Sequence, residues 1–255
     1  MEDGTLTAET ALLERALGYA LCALRPVTSR TLNHPTPCRS WDLRTLLWHT
    51  HDSLCALCEG IEDGYVEVPS AAQAADAGPR AEAADAAAAE ARANAAPEPH
   101  APADAHENHR DDPAAAVRST ASRLLGAWAA AGSGCDRVVA VADLPITAAA
   151  VARAGALEIA VHGWDIARAT GLPRPVPAAL ANELIRTARQ LVPTPALRFP
   201  LFGPPLTVPA EADPSDRLVA FLGRDPHWQA DGPRHRTGSR PAPPPETPSP
   251  PPLTP

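Results

Sequence analysis

Apolar side chains recur every three to four residues in several long segments of this chain, a spacing that places them on one face of an α-helix. In residues 9–25 the apolar stripe consists of Leu12, Leu13, Leu17, Leu21 and Leu24. Four further long segments show helical spacing, over residues 41–60, 113–131, 147–170 and 177–192. Ser40 is the predicted N-cap of the second helix, and Gly171 is the predicted end of the fourth. The pattern predicts an all-α protein, with one short additional helix over residues 216–223 and one candidate strand, Val138–Val141.

Two segments lack the large apolar residues that a packed core requires. Residues 66–112 are dominated by Ala, Pro, Asp and Glu, and residues 230–255 are rich in Pro, Ser and Thr. Such compositions bury too little apolar surface to offset the entropy lost on ordering. We therefore predict one helical domain over residues 5–229, with residues 66–112 as a disordered low-complexity insertion and residues 230–255 as a disordered tail.

The charge and the hydropathy of the chain restrict the partners and the location that we expect for it. The net charge is −8 and no block of basic residues occurs, which argues against a nucleic-acid partner. No segment approaches the roughly 18 consecutive apolar residues of a membrane span, and the acidic start lacks the features of a signal peptide. We expect a cytoplasmic protein without a membrane partner.

Cysteine usage indicates thiols rather than disulfides. The chain has five cysteines, an odd number. Cys55 and Cys58 form a C-x-x-C pair late in the second predicted helix, whereas redox-active pairs lie at a helix N-terminus, where the dipole lowers the thiol pKa. We predict that both thiols are buried and unreactive.

Glu158 and His162 are the strongest candidates for metal chemistry. They lie four residues apart in the fourth predicted helix, so their side chains share one face, with Cβ atoms about 5–6 Å apart. A carboxylate and an imidazole so placed can hold a metal ion when a third ligand joins them, and His49 is the best candidate. The spacing is also compatible with a solvated helix face, or with a carboxylate that pairs with an arginine.

Polar side chains gather around His49 on a helix that is otherwise rich in leucine. On a helical wheel Asp42, Thr45 and Ser53 lie within about 40° of His49, and Asp52 lies slightly further away. This grouping indicates the lining of a site rather than a core stripe.

Asp165 lies three residues beyond His162 on the same predicted helix. It is a candidate hydrogen-bond acceptor for the ligand imidazole. The alternative is a salt bridge within the helix to Arg168, and the sequence does not choose between them.

Three separated stretches resemble one known family. Residues 36–49, TPCRSWDLRTLLWH, resemble the first metal-helix signature of the mycothiol-dependent maleylpyruvate isomerase family, which belongs to the DinB/YfiT-like group of metalloproteins. Residues 158–167, EIAVHGWDIA, resemble its second signature. Residues 217–226, RLVAFLGRDP, are similar to the end of a common actinobacterial branch.

The resemblance implies a fold and a cofactor. The fold is a DinB-like up-and-down four-helix bundle with additional short C-terminal helices. The cofactor is a divalent metal, zinc first, held near one end of the bundle by His49, Glu158 and His162. The side chains singled out above by their positions on the helices would support these ligands or line the pocket: Asp42, Thr45, Asp52, Ser53 and Asp165.

The resemblance also implies a reaction class. Mycothiol or a similar low-molecular-weight thiol would be the cosubstrate, and a small electrophilic molecule would be isomerised or would accept the sulfur. Neither the substrate, nor a catalytic residue beyond the ligands, nor the oligomeric state is predicted. The alternative is a non-catalytic metal-binding bundle that sequesters a ligand or regulates a partner.

Overall fold

The computed structural model describes residues 8–38, 41–67, 112–131, 137–142, 144–194, 198 and 202–230. Six helices lie in these ranges: α1 (Ala8–Ala23), α2 (Leu43–Glu62), α3 (Pro113–Ala131), α4 (Ala148–Ala169), α5 (Ala178–Leu191) and α6 (Pro214–Phe221). Three strands accompany them: β1 (Tyr65–Val66), β2 (Val138–Val141) and β3 (Leu144–Thr147). The predicted helical protein is confirmed. Residues 68–111 of the predicted insertion, 66–112, and residues 231–255 of the predicted tail, 230–255, lie outside the described residues.

The four long helices α1 to α4 form a bundle in which α4 has the central place. α4 packs along α1 and α2, and α2 also packs against α3. The side chains of Leu13, Leu46, Leu124 and Trp164 are at most 1% exposed and come from all four helices. The additional helices α5 and α6 pack against each other, and α5 also contacts α4.

Glycines let the neighbouring helices approach α4 closely. A Cβ atom on Gly163 would lie 3.0 Å from the Cα atom of Ala20 on α1. A Cβ atom on Gly155 would lie 2.6 Å from the Cδ1 atom of Leu57 on α2. Real Cβ atoms essentially never approach to 2.6 Å, and a contact at 3.0 Å is tighter than most, so larger residues at these two positions would push α1 and the Leu57 side chain away.

A small three-stranded sheet lies beside the bundle. β2 pairs parallel with β1 and antiparallel with β3. The predicted strand at residues 138–141 is confirmed, whereas the sequence did not indicate β1 or β3. Val66, inside the segment predicted as an insertion, is 8% exposed and belongs to the core. A Cβ atom on Gly60 of α2 would lie 3.1 Å from its Cγ2 atom, so the sheet packs directly on the bundle.

Local hydrogen bonds and backbone geometry set the helix ends. The N-cap of α2 is Asp42, whose Oδ1 atom accepts from the Thr45 backbone N–H at 2.8 Å, so the predicted cap at Ser40 is wrong. Thr147 caps α4 in the same way at 3.2 Å. Gly171 follows α4 with a φ of 72°, the left-handed conformation expected after a helix.

The two helix cysteines differ in their surroundings. Cys58 is buried and its thiol pKa is raised to about 11 by burial, as expected for an unreactive thiol. Cys55 is only partly buried, with Sγ 3.7 Å from the His51 ring, so the prediction that both are buried is wrong for Cys55.

Candidate metal centre

Two helices bring His49, Glu158 and His162 together. Glu158 and His162 lie one turn apart on α4, and His49 faces them from α2. The ligand atoms of the three side chains lie within 4.8 Å of one another. His49 Nε2 is 3.1 Å from Glu158 Oε1, and His162 Nε2 is 4.0 Å from the same oxygen. The predicted ligands therefore share one small volume between the helices, and we call these three side chains the ligand group.

The chemistry of the ligand group suits a divalent ion. Two imidazole nitrogens and one carboxylate oxygen are donors that zinc accepts, and three protein donors leave one position open. The side chain of His49 is 38% exposed and that of Glu158 is 40% exposed, so a small molecule can reach the group. His162 is buried behind them at 6% exposure.

Glu158 is ionised in this arrangement. Burial opposes its negative charge, but the hydrogen bond with His49, the charge of His162 and the Ser53 hydroxyl outweigh it and lower the pKa of Glu158 to about 2. Ser53 Oγ donates to Glu158 Oε1 at 2.6 Å. The carboxylate thus carries a full charge at neutral pH, as a metal ligand must.

Asp165 holds His162 from the side away from Glu158. His162 Nδ1 lies 3.2 Å from Asp165 Oδ2. Two nitrogens of the Arg224 guanidinium donate to the same carboxylate: Nε to Oδ1 at 3.3 Å and Nη2 to Oδ2 at 3.0 Å. Burial raises the pKa of Asp165, but the charges of Arg224 and His162 overcome this and hold it below its usual value. The chain Arg224–Asp165–His162 leaves Nε2 of the imidazole directed at the ligand group.

The alternative partner of Asp165, Arg168, is engaged elsewhere. Arg168 Nη2 donates to the Pro226 carbonyl at 2.7 Å, and its guanidinium lies 4.9 Å from the centre of the Trp164 ring. A salt bridge between Asp165 and Arg168 is therefore not the role of Asp165.

A second set of possible ligands shares His162 with the first. Cys38, His162 and Asp165 also have donor atoms within 4.8 Å of one another. However, Arg224 donates to the Cys38 sulfur at 3.8 Å as well as to Asp165. A guanidinium among these donors repels a cation, which favours the ligand group of His49, Glu158 and His162.

Only one of the four polar residues predicted around His49 contacts the ligand group. Ser53 hydrogen-bonds Glu158. Asp42 caps α2, and Thr45 is exposed and supplies the backbone N–H that this cap binds. The side chain of Asp52 is 78% exposed.

Sequence reasoning missed two residues at the site. The Trp41 ring lies 4.7 Å from the His49 ring and 6.4 Å from the His162 ring, centre to centre, and so adjoins both imidazoles. Arg224 lies in the stretch 217–226, and its position in the sequence does not indicate a role at the site. Trp41 lies next to the N-cap of α2 in the stretch 36–49, and that position was the available signal for it.

Comparison with known protein families identifies the family of this chain. The profile of the family described as mycothiol maleylpyruvate isomerase N-terminal domain matches residues 13–167, which contain the whole ligand group. The chain belongs to this family. Arg224, which holds Asp165, lies beyond the matched residues.

Curated relatives match a shorter part of the chain. Two uncharacterized proteins of Mycobacterium tuberculosis, MT0763 of strain CDC 1551 and Rv0738 of strain H37Rv, are each 41% identical over 69 residues. The match covers 26% of this chain and 37% of each relative, so well under half of either protein is compared. No solved structure matches the chain. Among the described residues, no helix is both long and apolar enough to cross a lipid bilayer.

Proposed function

We propose that the protein is an enzyme that depends on a divalent metal, with zinc as the first candidate. It would use mycothiol or a similar thiol either to isomerise a small electrophilic molecule or to transfer sulfur to it. The observation that carries the proposal is the convergence of His49, Glu158 and His162 within 4.8 Å in a chain of this family. His49, Glu158 and His162 would hold the ion. The bound ion would lower the pKa of a thiol at its open position and so supply a thiolate at neutral pH.

The surrounding side chains support this use of the site. In the neutral imidazole that binds an ion, Asp165 would accept from Nδ1 of His162 and so fix the tautomer in which Nε2 has a free lone pair. Ser53 donates to Glu158 Oε1 and limits rotation of the carboxylate. The Trp41 ring packs beside both imidazoles, with its centre 4.7 Å from that of His49 and 6.4 Å from that of His162. Each contact orders a ligand before any ion arrives, which lowers the entropy lost on binding.

The two reactions share a first step. The thiolate sulfur gives an electron pair to one carbon of an activated double bond, and the pair of that bond moves to the activating group. The former double bond is now a carbon–carbon single bond, and rotation about it followed by loss of the thiolate gives an isomer. Protonation of the carbanion instead leaves the sulfur attached and completes a transfer.

Metal content tests the ligand assignment. The purified protein should carry close to one divalent ion per chain, measured by inductively coupled plasma mass spectrometry. His49→Ala and His162→Ala should each lose the ion. His51→Ala is the matched control, since His51 lies on the same helix but contacts Asp52 and Cys55, and it should keep the ion. Full occupancy in the His49→Ala, His162→Ala double variant would refute the assignment.

Thiol binding tests the enzymatic proposal. Titration of the cobalt-substituted protein with mycothiol should produce a sulfur-to-cobalt charge-transfer band. Turnover of a panel of unsaturated carbonyl compounds should require both metal and thiol. A protein that binds metal but gives neither band nor turnover would instead be a non-catalytic module that sequesters or regulates.

A further inference from the structure

An apolar cavity begins at the ligand group and extends away from it. The cavity has a volume of about 360 Å³ and lies between α2, α4 and the small sheet. Ser53 and Glu158 line the end that adjoins the ligand group, and they are the only polar residues among its described lining. A volume of this size lies in the range of about 300–1,000 Å³ that is usual for small-molecule sites.

The wall on the side of α4 shows how far the cavity reaches. Ala150, Ala154 and Glu158 follow one another at intervals of one turn, and all three line it. Eight residues of helix span about 12 Å, so the cavity continues for about that length from the carboxylate. The small alanine side chains leave space where larger residues would fill it.

The three strands of the small sheet also line the cavity. Val66, Val141 and Ile146 contribute one apolar side chain from each strand. Leu191, at the end of α5, completes this apolar wall. The described wall therefore offers hydrocarbon contacts along its length and hydrogen bonds at one end only.

A negatively charged ligand does not suit this cavity. None of its described lining residues is cationic. A carboxylate among the apolar side chains would lose its hydration without gaining a partner. An uncharged apolar group would lose only unfavourable contacts with water.

We propose that the cavity binds the body of the substrate, and that this body is uncharged and apolar. The inference rests on the proposed function, because it places the electrophilic carbon at the Ser53–Glu158 end beside the ligand group. It separates this chain from an enzyme acting on maleylpyruvate, a dicarboxylate, and it names a hydrophobic electrophile as the substrate class.

A matched pair of fluorescent probes tests the inference without a known substrate. N-phenylnaphthylamine is uncharged, and anilinonaphthalene sulfonate carries a sulfonate on the same ring skeleton. Binding of each to the metal-loaded full chain is measured by fluorescence titration. The uncharged probe should bind at least about tenfold more tightly, since burial of an unpaired anion is costly.

Filling the cavity tests whether the probe binds there. Ala154→Phe places a ring in the middle of the cavity and should weaken binding of N-phenylnaphthylamine by at least about tenfold. Ala129→Phe is the matched control, since Ala129 is an exposed helical position on α3. This variant should bind N-phenylnaphthylamine with the affinity of the wild type. Ala150→Phe, which fills the far end, replaces Ala154→Phe if that variant fails to fold by circular dichroism.

The outcomes separate this inference from the proposed function. Equal or tighter binding of the sulfonate probe, or unchanged binding of the uncharged probe in the folded cavity-filling variant, would overturn the inference even if the protein binds metal. Metal content is measured on the same samples. If every ligand variant kept its metal, the proposed function would be refuted. The inference about the cavity would still stand if the uncharged probe bound more tightly than the sulfonate probe and if Ala154→Phe weakened its binding.

Discussion

At the scale of single residues, Asp165 is a buried carboxylate whose negative charge must be compensated by neighbouring side chains. Its side chain is fully buried, and an unpaired carboxylate in that position would be strongly destabilising. Arg224 supplies two hydrogen bonds and the opposite charge, and His162 supplies a third contact. The same contacts that make Asp165 tolerable in the core also orient a candidate metal ligand.

Removal of Arg224 should therefore destabilise the protein. Arg224→Met leaves Asp165 buried without its cation, and the free energy of unfolding should fall by about 3–5 kcal/mol, measured by urea denaturation. The double variant Asp165→Leu, Arg224→Met removes both charges and should recover part of that loss. If the double variant were no more stable than Arg224→Met, the buried pair would not explain the effect.

Among the structural elements, the turn after α6 determines whether Arg224 reaches Asp165. Gly223 has a φ of 81°, in the left-handed region. Its Cα atom also packs against Gly203, so a Cβ atom there would lie 2.7 Å from the Gly203 Cα atom. Two glycine backbones thus cross at the point where the chain enters the core with Arg224.

Two glycine substitutions separate backbone strain from steric clash. Gly171→Ala adds a methyl group at a φ of 72° with no atom within 4 Å, so it should cost about 1–2 kcal/mol. Gly223→Ala has the same strain and also a clash with Gly203, and it should cost about 3 kcal/mol or more. Thermal unfolding of the two variants measures the difference. Equal costs would show that the contact with Gly203 can relax.

For the whole molecule, the bundle, the sheet and the C-terminal segment all meet at α4. This helix carries two candidate ligands, lines the cavity and receives Arg224 through Asp165. The long segment between Glu67 and Asp112 joins a strand to a helix. Its composition lacks large apolar residues, which predicts that the core does not depend on it.

Deletion of residues 68–111 tests that prediction. With a short Gly/Ser linker in their place, the free energy of unfolding should change by less than about 1 kcal/mol, because loop length affects stability only weakly. Deletion of residues 64–111 is the contrasting variant, because it also removes β1 and the Val66 side chain from the cavity wall. It should lower stability further and weaken N-phenylnaphthylamine binding. A large loss on the shorter deletion would show that the segment packs on the core.

The sequence by itself determined the helices and the local part of the candidate site. Helical periodicity is set by residues three and four apart, so α1 to α5 were predictable to within a few residues. The pairing of Glu158 with His162 follows from the same spacing. His49 was the candidate third ligand because polar residues surround it on its helix and because the family resemblance implies it, and its role as a ligand stays a prediction.

Only the tertiary structure decided which distant groups meet. Of the four polar candidates around His49, Ser53 is the one that contacts Glu158, and Arg224 pairs with Asp165. The cavity is formed by residues of α2, α4, α5 and the sheet. The tertiary structure also paired β1 and β3 with β2, strands of two and four residues that are too short for a periodic signal. Such contacts depend on the distance and rotation of elements far apart in the chain, and a local apolar pattern carries no information about either.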